Sequence, residues 1–107
     1  MAREKFQTLT EQMFYILLCL RRPCCGADVM ERARTMTEGR VLIGPGTLYA
    51  LLETFRDQGW TQELAPEGRR RRYQLTEAGE RRLEEEVQRL LRQVEDYRQA
   101  AEEEGEG

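Results

Sequence analysis

The chain has no histidine, and that absence removes most of the chemistry open to a short protein. Without imidazole, thiols and hydroxyls lack their usual general base, so the chain is expected not to be an enzyme. A zinc ion would have to be held by thiolates and carboxylates alone, and Cys19, Cys24 and Cys25 do not show a CxxC spacing. An odd count with two adjacent cysteines makes no disulfide framework. Two readings of the thiols stay open: buried and idle, or redox sensing or metal binding, the redox reading resting on Cys24 and Cys25. No stretch approaches the roughly 20 apolar residues of a membrane span. The opening Met1-Ala2-Arg3-Glu4-Lys5 lacks the apolar core of a signal peptide. There is no glycine-rich loop of the nucleotide-binding type. The expectations are a cytoplasmic protein with no cofactor, no metal and no membrane partner.

Aromatic residues are scarce too, at 7% of 107 residues, while 35% are charged. Such a chain makes one domain with a modest core, which a second subunit would help to stabilise. The net charge of −3 is unevenly spread. Residues 1–75 carry 12 Lys and Arg against 9 Asp and Glu, whereas residues 76–107 carry 5 against 11. A basic body with an acidic tail fits a nucleic-acid binder whose tail does a different job.

What is present reads as helices and one hairpin. Thr8-Leu9-Thr10-Glu11 resembles a capping box, with Glu11 reaching back to the cap. Behind it, Met13 to Leu20 is apolar nearly all the way around a helix. Either this helix is sandwiched in the domain, or Phe14, Leu17 and Leu18 on its far side meet another chain. Pro23 ends it. A second helix spans about Gly26 to Met36, with Val29, Met30, Ala33 and Met36 at helical spacing. Arg40-Val41-Leu42-Ile43 is a candidate short strand.

Next comes Gly44-Pro45-Gly46-Thr47-Leu48-Tyr49-Ala50, where proline suits a first helical turn and glycine lets an external group come close. The fresh helix N-terminus can seat a phosphate. In this third helix Leu48, Leu51, Leu52 and Phe55 share a core face, and Gly59 is its left-handed cap. The outward face, with Thr47, Ala50, Glu53, Thr54 and Asp57, is acidic beyond the first turn. Tyr49 and Arg56 lie on its flank, and Tyr49 is a candidate for phosphate contact. Two strands follow, 60–64 and 70–75, around a loop at 65–69. Arg69 to Arg72 start the second strand; alternation forbids all four from serving one surface. They form either a solvated edge or, with Gly68, a phosphate-contacting wing led by Arg69, Arg70 and Arg71.

Thr76-Glu77-Ala78 caps a last helix reaching about Glu103. Leu83, Val87, Leu90, Val94, Tyr97 and Ala101 repeat at 4 and 3, a heptad seam. So long a seam calls for a helix from a second subunit, unless it packs back on the first helix. The fold expected is mainly α with a small β-hairpin: a winged helix-turn-helix over residues 1–75, a dimerisation helix over 76–104, and a disordered tail at 105–107.

Four stretches resemble the PadR-like transcriptional regulators, in particular the short subgroup with a single C-terminal helix. They are Leu9 to Leu18, Gly44 to Tyr49, Gly68 to Tyr73, and Leu75-Thr76-Glu77-Ala78-Gly79. The resemblance implies a homodimeric repressor whose tail helix packs on the partner's first helix. It implies third helices in successive major grooves of a palindromic operator in double-stranded DNA, with wings on the flanking backbone. It also implies release by a small-molecule effector or stress signal; some short members bind planar aromatic drugs between tail-helix tryptophans. Here Cys25-Gly26-Ala27 stands where the family often has His-Gly-Tyr, and Thr54 where a basic residue is common. The single tryptophan, Trp60, lies outside the tail, leaving Tyr15 and Tyr97 as candidate ligand contacts. The alternative function is a winged-helix module that binds protein, favoured by Glu53 and Asp57.

Overall fold

Thr10 starts the first helix, α1 (Glu11–Cys19), by accepting a 3.1 Å hydrogen bond from the Met13 N–H. The computed structural model describes residues 8–106, so Met1 to Lys5 and Gly107 lie outside the described residues. The cap is therefore Thr10 in place of Thr8. Its reciprocal partner is the Met13 sulfur, 3.5 Å from the Thr10 N–H. Glu11 turns away to pair with Arg40. Met13, Ile16, Leu17, Cys19 and Leu20 are all buried, so α1 is the central helix, with Phe14, Tyr15 and Leu18 half-buried at its margin.

Cys24 and Cys25 form strand β1, and α2 (Gly26–Met36) begins at the next residue. The candidate strand at 40–43 is absent. The Thr37 hydroxyl donates to the Ala33 carbonyl at 2.8 Å and accepts from the Val41 N–H at 3.0 Å. This holds the segment as an extended loop that buries Val41 and Ile43 without a strand partner. The reversal before it runs through Glu38 (φ 53°) and Gly39 (φ 82°), both left-handed.

Gly44 precedes α3 (Pro45–Gln58), with proline in the first turn and left-handed Gly59 at the end. Leu48, Leu52 and Phe55 enter the core. Leu51 is only half-buried, and Met36 of α2 is exposed, so the core faces of both helices are narrower than their periodicity suggested.

The wing consists of β2 (Thr61–Glu67) and β3 (Arg70–Leu75), antiparallel, with β1 on the far side of β3. Its register pairs Thr61 with Leu75 and Glu63 with Tyr73, while Cys24 pairs with Tyr73 across the other edge. The loop expected at 65–69 shrinks to a turn at Gly68 and Arg69. Pro66, which has no N–H to donate, falls in the irregularity between Leu64 and Glu67, where pairing lapses.

Helix α4 (Glu77–Glu106) is capped by Thr76, whose hydroxyl accepts from the Gly79 N–H at 3.1 Å and donates to the Gly59 carbonyl at 2.6 Å. It continues beyond Glu103, through Gly105, where a disordered tail was expected. The first turns of α4 belong to the same core as residues 9–75. A Cβ at Gly79 would collide with the Trp60 carbonyl, Leu83 is buried, and Arg82 lies over the Trp60 ring at 5.6 Å. Glu86 is also buried, although its charge suggested a solvated face. From Leu90 to Gly105 every residue is exposed. Leu17 and Leu83, expected at a subunit interface, are covered within the chain itself. This is a winged helix-turn-helix with a long C-terminal helix.

Candidate nucleic-acid interface

The N-terminus of α3 offers backbone N–H groups, and the hairpin tip offers cationic groups, to something outside. At the first, Gly44, Pro45, Gly46, Thr47, Tyr49 and Ala50 are all exposed. The cap residue has no side chain to accept the first N–H groups, and a helix offers none of its own carbonyls there. The fold itself does not require glycine at 44 or 46. Gly44 has an ordinary extended conformation, φ −79° and ψ 161°, and a Cβ at either position would meet nothing within 4 Å. Gly26 differs: a Cβ there would collide with the hydroxyl of Tyr49, whose ring crosses the start of α2. Tyr49 therefore links the N-termini of α2 and α3 while remaining 46% exposed.

Beyond the first turn the outward face of α3 is charge-paired. Arg56 lies 4.0 Å from Glu53 and 3.6 Å from Asp57. The Thr54 hydroxyl donates to the Ala50 carbonyl on its own helix at 3.2 Å.

The pleat of β3 splits the arginine run as alternation requires. Arg71 shares a face with Glu63 and Tyr73 and looks toward α3. Its Nε and Nη2 donate to the two Glu63 oxygens at 2.9 and 3.0 Å. The Arg71 bonds hold the Glu63 carboxyl below the usual carboxylate range, and Glu63 in turn raises Arg71. Arg70 and Arg72 take the other face: Arg70 Nη1 lies 3.9 Å from Cys25 Sγ, and Arg72 Nη1 donates to the Ala65 carbonyl at 3.4 Å. Gly68, at φ 62°, makes the turn. Arg69 at the tip has no hydrogen bond or ion pair among the described residues. The three wing arginines singled out from sequence are thus in three different situations, and only Arg69 is uncommitted.

Between α3 and the wing lies a cleft of about 250 Å³ whose lining includes Tyr49, Glu53, Arg56, Glu63, Arg71 and Tyr73. Glu63 was missed in the sequence because its role depends on hairpin register, which sets it diagonally across from Arg71.

A second cavity, of about 310 Å³, opens between α1 and α4 and is lined by Leu9, Phe14, Tyr15, Glu86 and Leu90 among others. Tyr15 meets Phe14 edge-on at 5.2 Å, and its hydroxyl accepts from Arg40 at 3.2 Å. Tyr97 lies two turns beyond Leu90, 73% exposed, so one chain does not bring the two candidate ligand tyrosines together. The apolar residues that stay accessible along α4 are Leu90, Leu91, Val94 and Tyr97, with Val87 half-buried. Among the described residues no group of three Cys, Asp or Glu converges to hold a metal ion, and no helix is long and apolar enough to cross a membrane.

A winged helix-turn-helix with an exposed glycine-flanked helix start and a basic hairpin tip defines the class. The PadR-like family of transcriptional regulators matches residues 16–85, and the chain belongs to that family. Solved structures agree. A transcriptional regulator from Clostridium thermocellum is 19% identical with a TM-score of 0.67, covering 81% of this chain and 90% of its own. A PadR family transcriptional regulator from Eggerthella lenta is 25% identical with a TM-score of 0.64, covering 78% and 74%. A PadR-like transcription factor from Bacteroides fragilis is 23% identical with a TM-score of 0.62, covering 80% and 84%. No curated protein matches the chain.

Proposed function

We propose that this regulator is a homodimeric repressor that binds a palindromic operator in double-stranded DNA. The first turn of α3 enters the major groove, where Thr47 and Ala50 meet base edges and the Gly46 and Thr47 N–H groups take a backbone phosphate. Arg69 at the wing tip contacts the flanking backbone. Gly44 and Gly46 carry this reading: two exposed glycines that no neighbour within the fold demands. Glycine there serves close approach from outside.

The free half of α4 supplies the second subunit. Leu90, Val94 and Tyr97 repeat at heptad spacing and stay exposed among the described residues, with half-buried Phe14 beside Leu90. Leu91 widens the stripe. Pairing the helices would bury this seam and hold two winged domains at a fixed separation. An effector that alters the pairing would then change operator affinity, and the α1–α4 cavity beside the seam is where such a molecule would act.

Sedimentation of the intact chain and of a Leu90→Ser, Val94→Ser, Tyr97→Ser variant tests the assembly. The intact chain should have about twice the 12.6 kDa chain mass and the variant the chain mass itself, with helical circular dichroism retained. A variant that stays dimeric would place the interface elsewhere. Glu53 and Asp57 favour a second reading, a module that binds protein; a chain that binds no duplex DNA even at low salt would support it.

A further inference from the structure

The cations of the α3–wing cleft are not free charges. Arg71 is clasped by Glu63 through two bonds of 2.9 and 3.0 Å, and Arg56 sits between Glu53 and Asp57. A duplex lying across both α3 and the wing must pass a strand of backbone over this cleft. Each phosphate there meets a guanidinium whose charge is already matched, with a carboxylate beside it. We infer that Glu63 limits the affinity of this protein for DNA of any sequence, by occupying Arg71 and by presenting a like charge to the backbone; this rests on the DNA-binding reading above.

Sequence-independent affinity comes from cations that displace the counterions of DNA. A carboxylate placed against the backbone removes such a contact and penalises every duplex alike. With Arg71 held in this way, the first turn of α3 accounts for a larger share of the binding energy, and discrimination between sequences gains at the expense of total affinity. Glu63 is suited to the task because both of its oxygens are engaged by one guanidinium.

The test compares Glu63→Gln, Arg71→Ala and the double variant with the intact chain. Binding to a random-sequence duplex is followed by fluorescence anisotropy across salt concentrations, with circular dichroism to verify folding. Glu63→Gln should bind several-fold more tightly, with a log–log salt slope steeper by about 0.9, the value of one added phosphate contact. Arg71→Ala alone should leave the slope nearly unchanged, and in the double variant the gain should vanish. If Glu63→Gln binds as the intact chain does, or more weakly, the inference is overturned while DNA binding itself stands. If neither the intact chain nor any of the three variants binds, the DNA-binding reading fails and this one with it.

Discussion

Glu86 lies buried on the inner side of α4, its Oε1 3.4 Å from Arg82 Nη1, and that same guanidinium stacks over the Trp60 ring. Arg89 donates to the other carboxylate oxygen, and the Leu9 N–H bonds to the group as well. One acidic residue thus ties the start of α1, the wing junction and the long helix together.

Burial on its own would raise the Glu86 carboxyl. The bonds from Arg89 and the Leu9 N–H, with the charges of Arg89 and Arg82, outweigh it and bring the group below the usual carboxylate range. A carboxyl with a lower pKa folded than unfolded adds stability above about pH 4.3, and that stability is lost as pH falls through the folded value. Glu86→Gln should therefore cost about 2 kcal/mol near neutral pH. Urea melts at pH 7 and pH 3 check this: the gap between variant and intact chain should narrow at the lower pH.

Gly46→Ala separates stability from binding. A methyl group meets nothing in the fold, and alanine in a helical turn is better than glycine by about 0.5 kcal/mol or more. The variant should melt at a slightly higher temperature yet bind DNA more weakly, since the added Cβ stands between backbone and phosphate. Unchanged binding would remove the reason given for the glycine.

The thiols give a third expectation. All three cysteines are free and buried. Burial pushes the Cys24 thiol up to about 11 and raises Cys19 as well, against the opposing charge of Arg32. Protonated, enclosed thiols react slowly, so a disulfide reagent at pH 7.5 should modify the native protein at least about tenfold more slowly than the urea-unfolded chain. Rapid modification of the native protein would return the redox reading of Cys24 and Cys25 to the fore.

Local signals carried most of the architecture. Pro45 and Gly59 bracket α3, Thr76 opens α4, and the apolar run of α1 marks the helix on which α2 and α4 pack. What did not show were pairings between distant residues. Cys24 and Cys25 become a strand only because β3 lies beside them, whereas Val41 and Ile43, with better strand propensity, pair with no strand among the described residues. Glu86 looked like one more charge on a solvated helix until Leu9 and Arg89 closed over it. The arginine run signalled a cationic wing, but which arginine stays free depends on the Glu63 register. Leu17 and Leu83 fitted an interface pattern, and the chain's own core claimed them first.

The measurement that bears most directly on DNA binding is the salt dependence of duplex affinity for the intact chain and for Arg69→Ala. Arg69 is the wing guanidinium without a partner among the described residues, so removing it should flatten the log–log slope by about 0.9 and weaken binding to specific and random duplexes alike. An intact chain that binds no duplex, or a variant whose slope matches the intact protein, would contradict the assignment of the wing tip to the DNA backbone.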